Sequence, residues 1–328
     1  MNRLPLIVLC ALTLAAAGPG DHEIELRLLH AEDLRIATVA YRLAAANAEL
    51  CADKAPLSGI MVHDLAQYTP GYREAAANLF GLGQKPAVSA VVRGSPADSA
   101  GLRANDVFVA IDGAPIPSEP TPRKASYDDV ARILAILDAA MVKGPVRLDI
   151  LRGGRPLTIM LVARTGCASI IQLVPSRRLN ASADGKIVQI TTAIAGYAAN
   201  DDELATVIAH EMAHNALRHR VRLDAQGVSR GLFGKFGKNA AAIRATEQEA
   251  DYVGVYLMAR AGYRFAAAPR FWERFGRERG FGTFLDASHP GWGARTRNLD
   301  AAVAEIEAKE ARGEAIRPER TAISSRNP

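Results

Sequence analysis

Cysteine, long apolar runs and concentrated charge are all scarce in this 328-residue chain. With only three cysteines, Cys10, Cys51 and Cys167, a purely structural zinc site is a poor reading, since such sites usually close four ligands and use cysteine. The longest apolar run, Leu4 to Ala17, falls short of the roughly 20 residues that span a bilayer. Forty basic and 35 acidic residues leave a net charge of only +5. No basic stripe interleaves with aromatics, which argues against nucleic-acid binding. The densest basic cluster (Arg218, His219, Arg220, Arg222) follows an apolar helical stretch and reads as a solvated helix end, where cations complement the dipole. No internal repeat is present, and the length suits two modest domains with separate cores.

Arg3, the apolar run and the small residues after it read as a secretory signal peptide over residues 1–18, cut after Ala17 or Gly18. Leu9 before Cys10 argues against a lipoprotein. Export, to the periplasm or the medium, would leave Cys51 and Cys167 in an oxidising compartment as one disulfide or as two buried thiols. The mature chain is expected to have no transmembrane helix.

Residues 19–79 read as a helical segment: one long helix through "IELRLLHAEDLRIATVAYRLAAANAELC", then a shorter one from Thr69-Pro70 to Gly81. From residue 80 to 164 the texture becomes β-rich. "AVSAVV" and "DVFVAIDG" are strands, "SYDDVARILAILDAAM" an amphipathic helix, and "VRLDILRGGRPLTIMLVA" a hairpin closed by Gly153-Gly154. This order, with "GSPADSAGLRANDVFVAIDG", resembles a PDZ domain of the bacterial protease type. Phe80, Gly81, Leu82 and Gly83 resemble the loop with which such domains hold a peptide's terminal carboxylate, the neighbouring strand edge pairing with the peptide. The fold also serves as a spacer.

Residues 165–312 read as a mainly helical domain with strands at "SIIQLVP" and "KIVQITT", and 313–328 as a flexible charged tail. A helix over about 201–220 starts at Asn200, with Glu203 three residues on as a capping box. It carries "TVIAHEMAHNAL". His210 and His214, four apart, share one helix face and can hold one zinc ion, while Glu211 at the edge of that face reaches water beside it. The uncharged flanks make the helix core-like, and burying these polar groups there without a partner would be costly.

A catalytic zinc needs a third protein ligand. In "ATEQEADYVGVYLMARAGY", Glu247 and Asp251 share a face: one can bind zinc, the other accept a hydrogen bond from a ligand histidine. Glu249 should point away, as part of a solvated acidic face. His219 lies about 140° round an unbroken helix from His214, outside the reach of the same ion.

"HEMAH" with "EQEAD" resembles the gluzincin family of the CAAX prenyl protease and the HtpX-like and BepA-like bacterial metalloproteases. That resemblance covers about residues 170–300. It implies a zincin-type α+β fold, mainly helical with a small edge sheet, behind the β-rich PDZ-like domain and the N-terminal helix. It also implies one Zn2+ per chain on His210, His214 and Glu247, Glu211 as general base, and Asp251 bonded to a ligand histidine. "SHPGWGAR" matches a family element and puts His289 near the zinc with Arg295, to steady the oxyanion or to close the open position; a loop histidine is the plain alternative. Membrane-spanning members carry apolar helices where this chain has glycine-rich residues 221–243, so intramembrane processing is not expected. Strand "KIVQITT" is expected to wall the cleft. The expected activity is zinc-dependent endopeptidase action on unfolded or envelope proteins, with protein or peptide substrates as partners and the PDZ-like domain engaging them. The alternative is a chaperone-like, peptide-binding envelope protein with a latent zinc site. Oligomeric state is left open.

Overall fold

The computed structural model describes residues 19–118, 120–228, 237–279 and 292–319. The expected signal peptide, His289 and residues 229–236 of the glycine-rich stretch lie outside them. The fold is mixed α+β, with a β-rich region ahead of a helical one.

Helix α1 (Pro19–Ala46) starts at a proline, whose missing N–H costs nothing in a first turn, and has no helix breaker after Gly20. It belongs to two cores. Leu26, near its start, packs with Ala75, Ala76, Leu82 and Ala87, whereas Ile36, Val39, Leu43 and Ala44 enter the large helical core. At roughly 1.5 Å per residue, 28 residues make a rod of about 42 Å that joins the two regions. Beyond its end, buried Asn47 donates to the carbonyls of Leu43 and Leu257 and accepts from Arg260.

Strand β1 (Lys54–Leu57) precedes β2 (Ile60–His63), and α2 (Arg73–Phe80) ends at left-handed Gly81. Then come β3 (Ala87–Val91), a turn of helix α3 (Pro96–Ser99), β4 (Val107–Ile111) and the two-residue β5 (Ala114–Pro115). Helix α4 (Asp128–Lys143), β6 (Val146–Arg152) and β7 (Arg155–Leu161) complete this half. The sheet runs β2-β3-β4-β6-β7, antiparallel, with β5 beside β4. Alternation is plain in β6, where Val146, Leu148 and Ile150 go inward onto Val130, Ile133 and Leu137 of α4. The hairpin turn at Gly153-Gly154 takes positive φ at both residues (55° and 78°), which glycine adopts freely.

Strand β8 (Arg164–Cys167) returns to pair with β1, and a disulfide joins Cys51 to Cys167, Cα atoms 5.4 Å apart. Strands β9 (Ile170–Val174), β10 (Ala181–Ala183) and β11 (Ile187–Thr191) form a second sheet in the order β10-β11-β9. The strand expected to wall the cleft, now β11, is therefore internal, with β10 and β9 as the outer strands. Helices α5 (Thr192–Tyr197), α6 (Asp201–Ala216), α7 (His219–Ala225), α8 (Gly237–Arg260), α9 (Ala267–Arg279) and α10 (Trp292–Ala311) follow. Among the described residues no helix is long and apolar enough to cross a membrane. The charged segment after α10, expected to fray, is held as far as Glu319. Ile316 packs on the core, its carbonyl accepts from Arg260, and Lys309 pairs with Glu319.

Candidate metal centre

Helix α6 is capped as its sequence suggests: Asn200 Oδ1 accepts from the N–H groups of Asp202 and Glu203. Glu203 reaches back one residue beyond the expected capping box, to the N–H of Ala199, and Arg274 grips its carboxylate. Almost every residue from Leu204 to Ala216 is buried, so the histidines are carried on a helix with nowhere to move. Helix α8 crosses it closely at Gly254. A Cβ there would stand 3.2 Å from the backbone nitrogen of His210, so glycine lets the two helices approach.

That approach brings Glu247 to the histidines. His210 Nε2 and His214 Nε2 are 3.3 Å apart. Glu247 Oε2 is 3.4 Å from the first, and its Oε1 3.5 Å from the second. Donor atoms on a tetrahedron with ligand bonds of about 2.0–2.1 Å stand roughly 3.3–3.4 Å apart, so the three residues fit one zinc ion. Among the described residues this is the one such group of three metal-binding side chains. Glu211, half-buried, sits beside it on α6.

The far side of His210 is equally ordered. Its Nδ1 donates to Asp251 Oδ1 at 2.8 Å, and the buried Arg295 guanidinium donates to the same oxygen at 2.6 and 3.1 Å. Arg295 also lies flat on Trp272, 3.5 Å from the ring centroid. Arg295 thus stands at the Nδ1 edge of His210, away from Nε2, and orients Asp251. Burial opposes charge on His210, but Asp251 and Glu247 outweigh it and push the pKa up to about 10. Burial likewise opposes charge on Asp251, yet Arg295 and His210 hold its carboxyl below the usual range. Burial drives His214 down to about 3 despite Glu247. Two carboxylates around two imidazoles make a pocket that favours a cation.

His219 is not where an unbroken helix would put it, and Glu249, on unbroken α8, faces it instead of solvent. Helix α6 stops at Ala216, Arg218 turns left-handed (φ 52°), and α7 begins at His219. His219 Nδ1 comes 2.9 Å from His214 Nδ1, and its Nε2 is 3.1 Å from Glu249 Oε2. Arg222 Nη1 donates to that oxygen at 2.8 Å. No glycine or proline announces the break. Its causes are distant in sequence: Asp53 pairs with the Arg218 guanidinium, and Ala52 N–H donates to the Ala216 carbonyl. Nothing in the local sequence singles out His219, which stands between Arg218 and Arg220 in the basic cluster.

In the β-rich half, Phe80 closes α2, Gly81 is its left-handed cap, exposed Gly83 follows, and Leu82 is buried among Leu26, Ala75, Ala76 and Ala87. The strand these residues lead to, β3, is paired on both sides. Strand β2 is one of the sheet's two outer strands, entered through Ser58-Gly59, and α4 packs near it. The loop read as a carboxylate cradle is thus a helix cap leading to an internal strand.

Residues 168–303 match the family model described as Peptidase family M48, and residues 87–152 match that of the PDZ domain. The mitochondrial metalloendopeptidase OMA1 of Arabidopsis thaliana is 32% identical over 137 residues, 35% of this chain and 27% of that protein. A putative serine protease HhoA of Synechocystis sp. is 39% identical over 72 residues, 22% of this chain and 16% of that protein. The chain thus spans less than a third of either relative. A crystal structure of the HtrA3 PDZ domain bound to a phage-derived ligand (FGRWV) covers 34% of this chain and 89% of its own, at 16% identity and a TM-score of 0.26.

Proposed function

With an M48 peptidase domain at residues 168–303 and a PDZ domain at 87–152 as premise, we propose that the chain is an exported zinc endopeptidase. The observation that carries this reading is the tetrahedral spacing of the His210, His214 and Glu247 donor atoms beside Glu211. Zinc there would polarise a peptide carbonyl and lower the pKa of water beside it towards about 7. Glu211 takes the proton of the attacking water and passes it to the leaving amine. Asp251 and Arg295 keep His210 aimed. A substrate strand adds to β10, which lies on α6, so that its scissile carbonyl faces the donor set.

The PDZ domain engages unfolded or envelope proteins, its outer strand β2 offering backbone groups to an extended segment. Export is supported by the apolar run Leu4–Ala17 and by the Cys51–Cys167 disulfide, which persists in oxidising compartments. The test is zinc content and casein cleavage by the full chain, purified without chelator, beside Glu211→Gln. One zinc per chain in both, with cleavage lost in the variant, is the expected result. Cleavage retained by the variant would overturn the mechanism. Zinc without cleavage by either would favour the chaperone-like, peptide-binding reading with a latent site.

A further inference from the structure

Each metal-facing imidazole has a second nitrogen, and what holds that nitrogen decides how firmly the ring is aimed. For His210 the holder is a carboxylate, Asp251, backed by Arg295. For His214 the group at Nδ1, among the described residues, is no carboxylate but the ring of His219, and Glu249 stands behind it, backed by Arg222. The two arrangements are parallel except that one imidazole is inserted in the second.

We propose that His219 and Glu249 are positioning residues of the metal centre, a relay that fixes the tautomer and the orientation of His214. It rests on the zinc reading above. The direction of the relay follows from hydrogen-bond arithmetic. His214 must keep Nε2 bare to face a metal, so its proton sits on Nδ1 and is donated to His219 Nδ1. His219 Nδ1 is then an acceptor, which puts its proton on Nε2, donated to Glu249 Oε2. Arg222 donates to the same oxygen, keeping that carboxylate charged and in place. Every ring nitrogen has one role, and no other assignment leaves His214 Nε2 free for a metal.

The break after α6 is what lets this relay form. Continued to residue 220, the helix would carry His219 about 140° away from His214. The left-handed Arg218, a conformation unfavourable for a side chain of its size, turns the chain back so that the rings meet. His219 is 2% exposed by side chain, so solvent does not compete for its nitrogens.

The alternative is that His219 and Glu249 merely stitch α7 to α8, and zinc affinity separates the two. The full chain and its His219→Phe, His219→Gln and Glu249→Ala variants are compared by competition with a chromogenic zinc chelator. The thermal transition of the zinc-free proteins controls for folding. Outer partners of metal-binding histidines typically contribute about 10- to 100-fold in affinity. His219→Phe is expected to weaken zinc by that amount. His219→Gln should restore it to within about threefold, because its carbonyl accepts from His214 while its amide donates to Glu249. Glu249→Ala should fall near the tenfold end and carries the test if His219→Phe does not fold. Unchanged affinity in a folded His219→Phe or in Glu249→Ala, with zinc bound by the parent chain, overturns the relay alone. A parent chain that takes up no zinc overturns the metal centre as well.

Discussion

The molecule buries histidine in both halves and treats it in opposite ways. His63, at the end of β2, is 1% exposed; its Nδ1 lies 3.1 Å from the Tyr68 hydroxyl, and the Phe80 ring packs against it. Its Nε2 has no hydrogen-bond partner among the described residues. Burial first, and then His30, push its pKa down to about 3, so it is a neutral ring in an apolar wall. His210 is nearly as buried, yet it is pushed up to about 10. The difference is the number of carboxylates within hydrogen-bonding reach. One half excludes a cation. The other is loaded with negative charge that a cation would neutralise.

The sharpest break in that contrast is Asp251→Asn, which removes the buried carboxylate that Arg295 and His210 share. Uncompensated buried charges cost about 3–5 kcal/mol. Urea unfolding of the zinc-free protein should show that loss in the helical half, with the PDZ-region transition unmoved. A loss under about 1 kcal/mol would mean that charge pairing does not organise the centre.

Gly254→Ala tests the geometry instead of the charge. Its methyl would press on the His210 backbone, and overpacking of this kind costs about 1–3 kcal/mol. If α8 shifts to relieve the clash, Glu247 moves with it, so zinc affinity should fall together with stability. Stability lost with affinity intact would show that the ligand set tolerates a looser crossing.

His63 supplies the smallest effect and the clearest sign. Its folded pKa lies below the ordinary 6.5, so between pH 6.5 and about 3 the unfolded chain binds the extra proton. Its contribution is complete above pH 6.5 and drains away as the pH falls, at most about 1.4 kcal/mol per unit. His63→Leu should flatten that part of the stability profile of the PDZ half between pH 6.5 and 5. An unchanged slope would mean that another group titrates there.

The strands and helices of the PDZ region were readable because burial alternates with the periods of strand and helix, as in β6 and α4. The histidine pair was readable because helix periodicity alone sets His210 against His214. The acids of α8 were readable only as a facing pair. Glu249 was read as solvent-facing because rotation about one helix axis says nothing of what packs beside it. Arg295 was read near the zinc, and its place behind Asp251 came from the packing of α10 and Trp272.

Residue type and short-range spacing by themselves determined the chemistry available here: two imidazoles on one turn, a base beside them, and two acids four apart on another helix. These depend only on the 3.6-residue repeat, which any helix obeys. Tertiary structure decided everything that depends on a partner far along the chain. Asp53 and Ala52 end α6 at Ala216 and turn His219 toward His214. Pairing leaves β10 and β2 at an edge of their sheets and puts β11 and β3 inside. A strand does not encode how many neighbours it has, and a helix does not encode which distant side chain will take its last carbonyl.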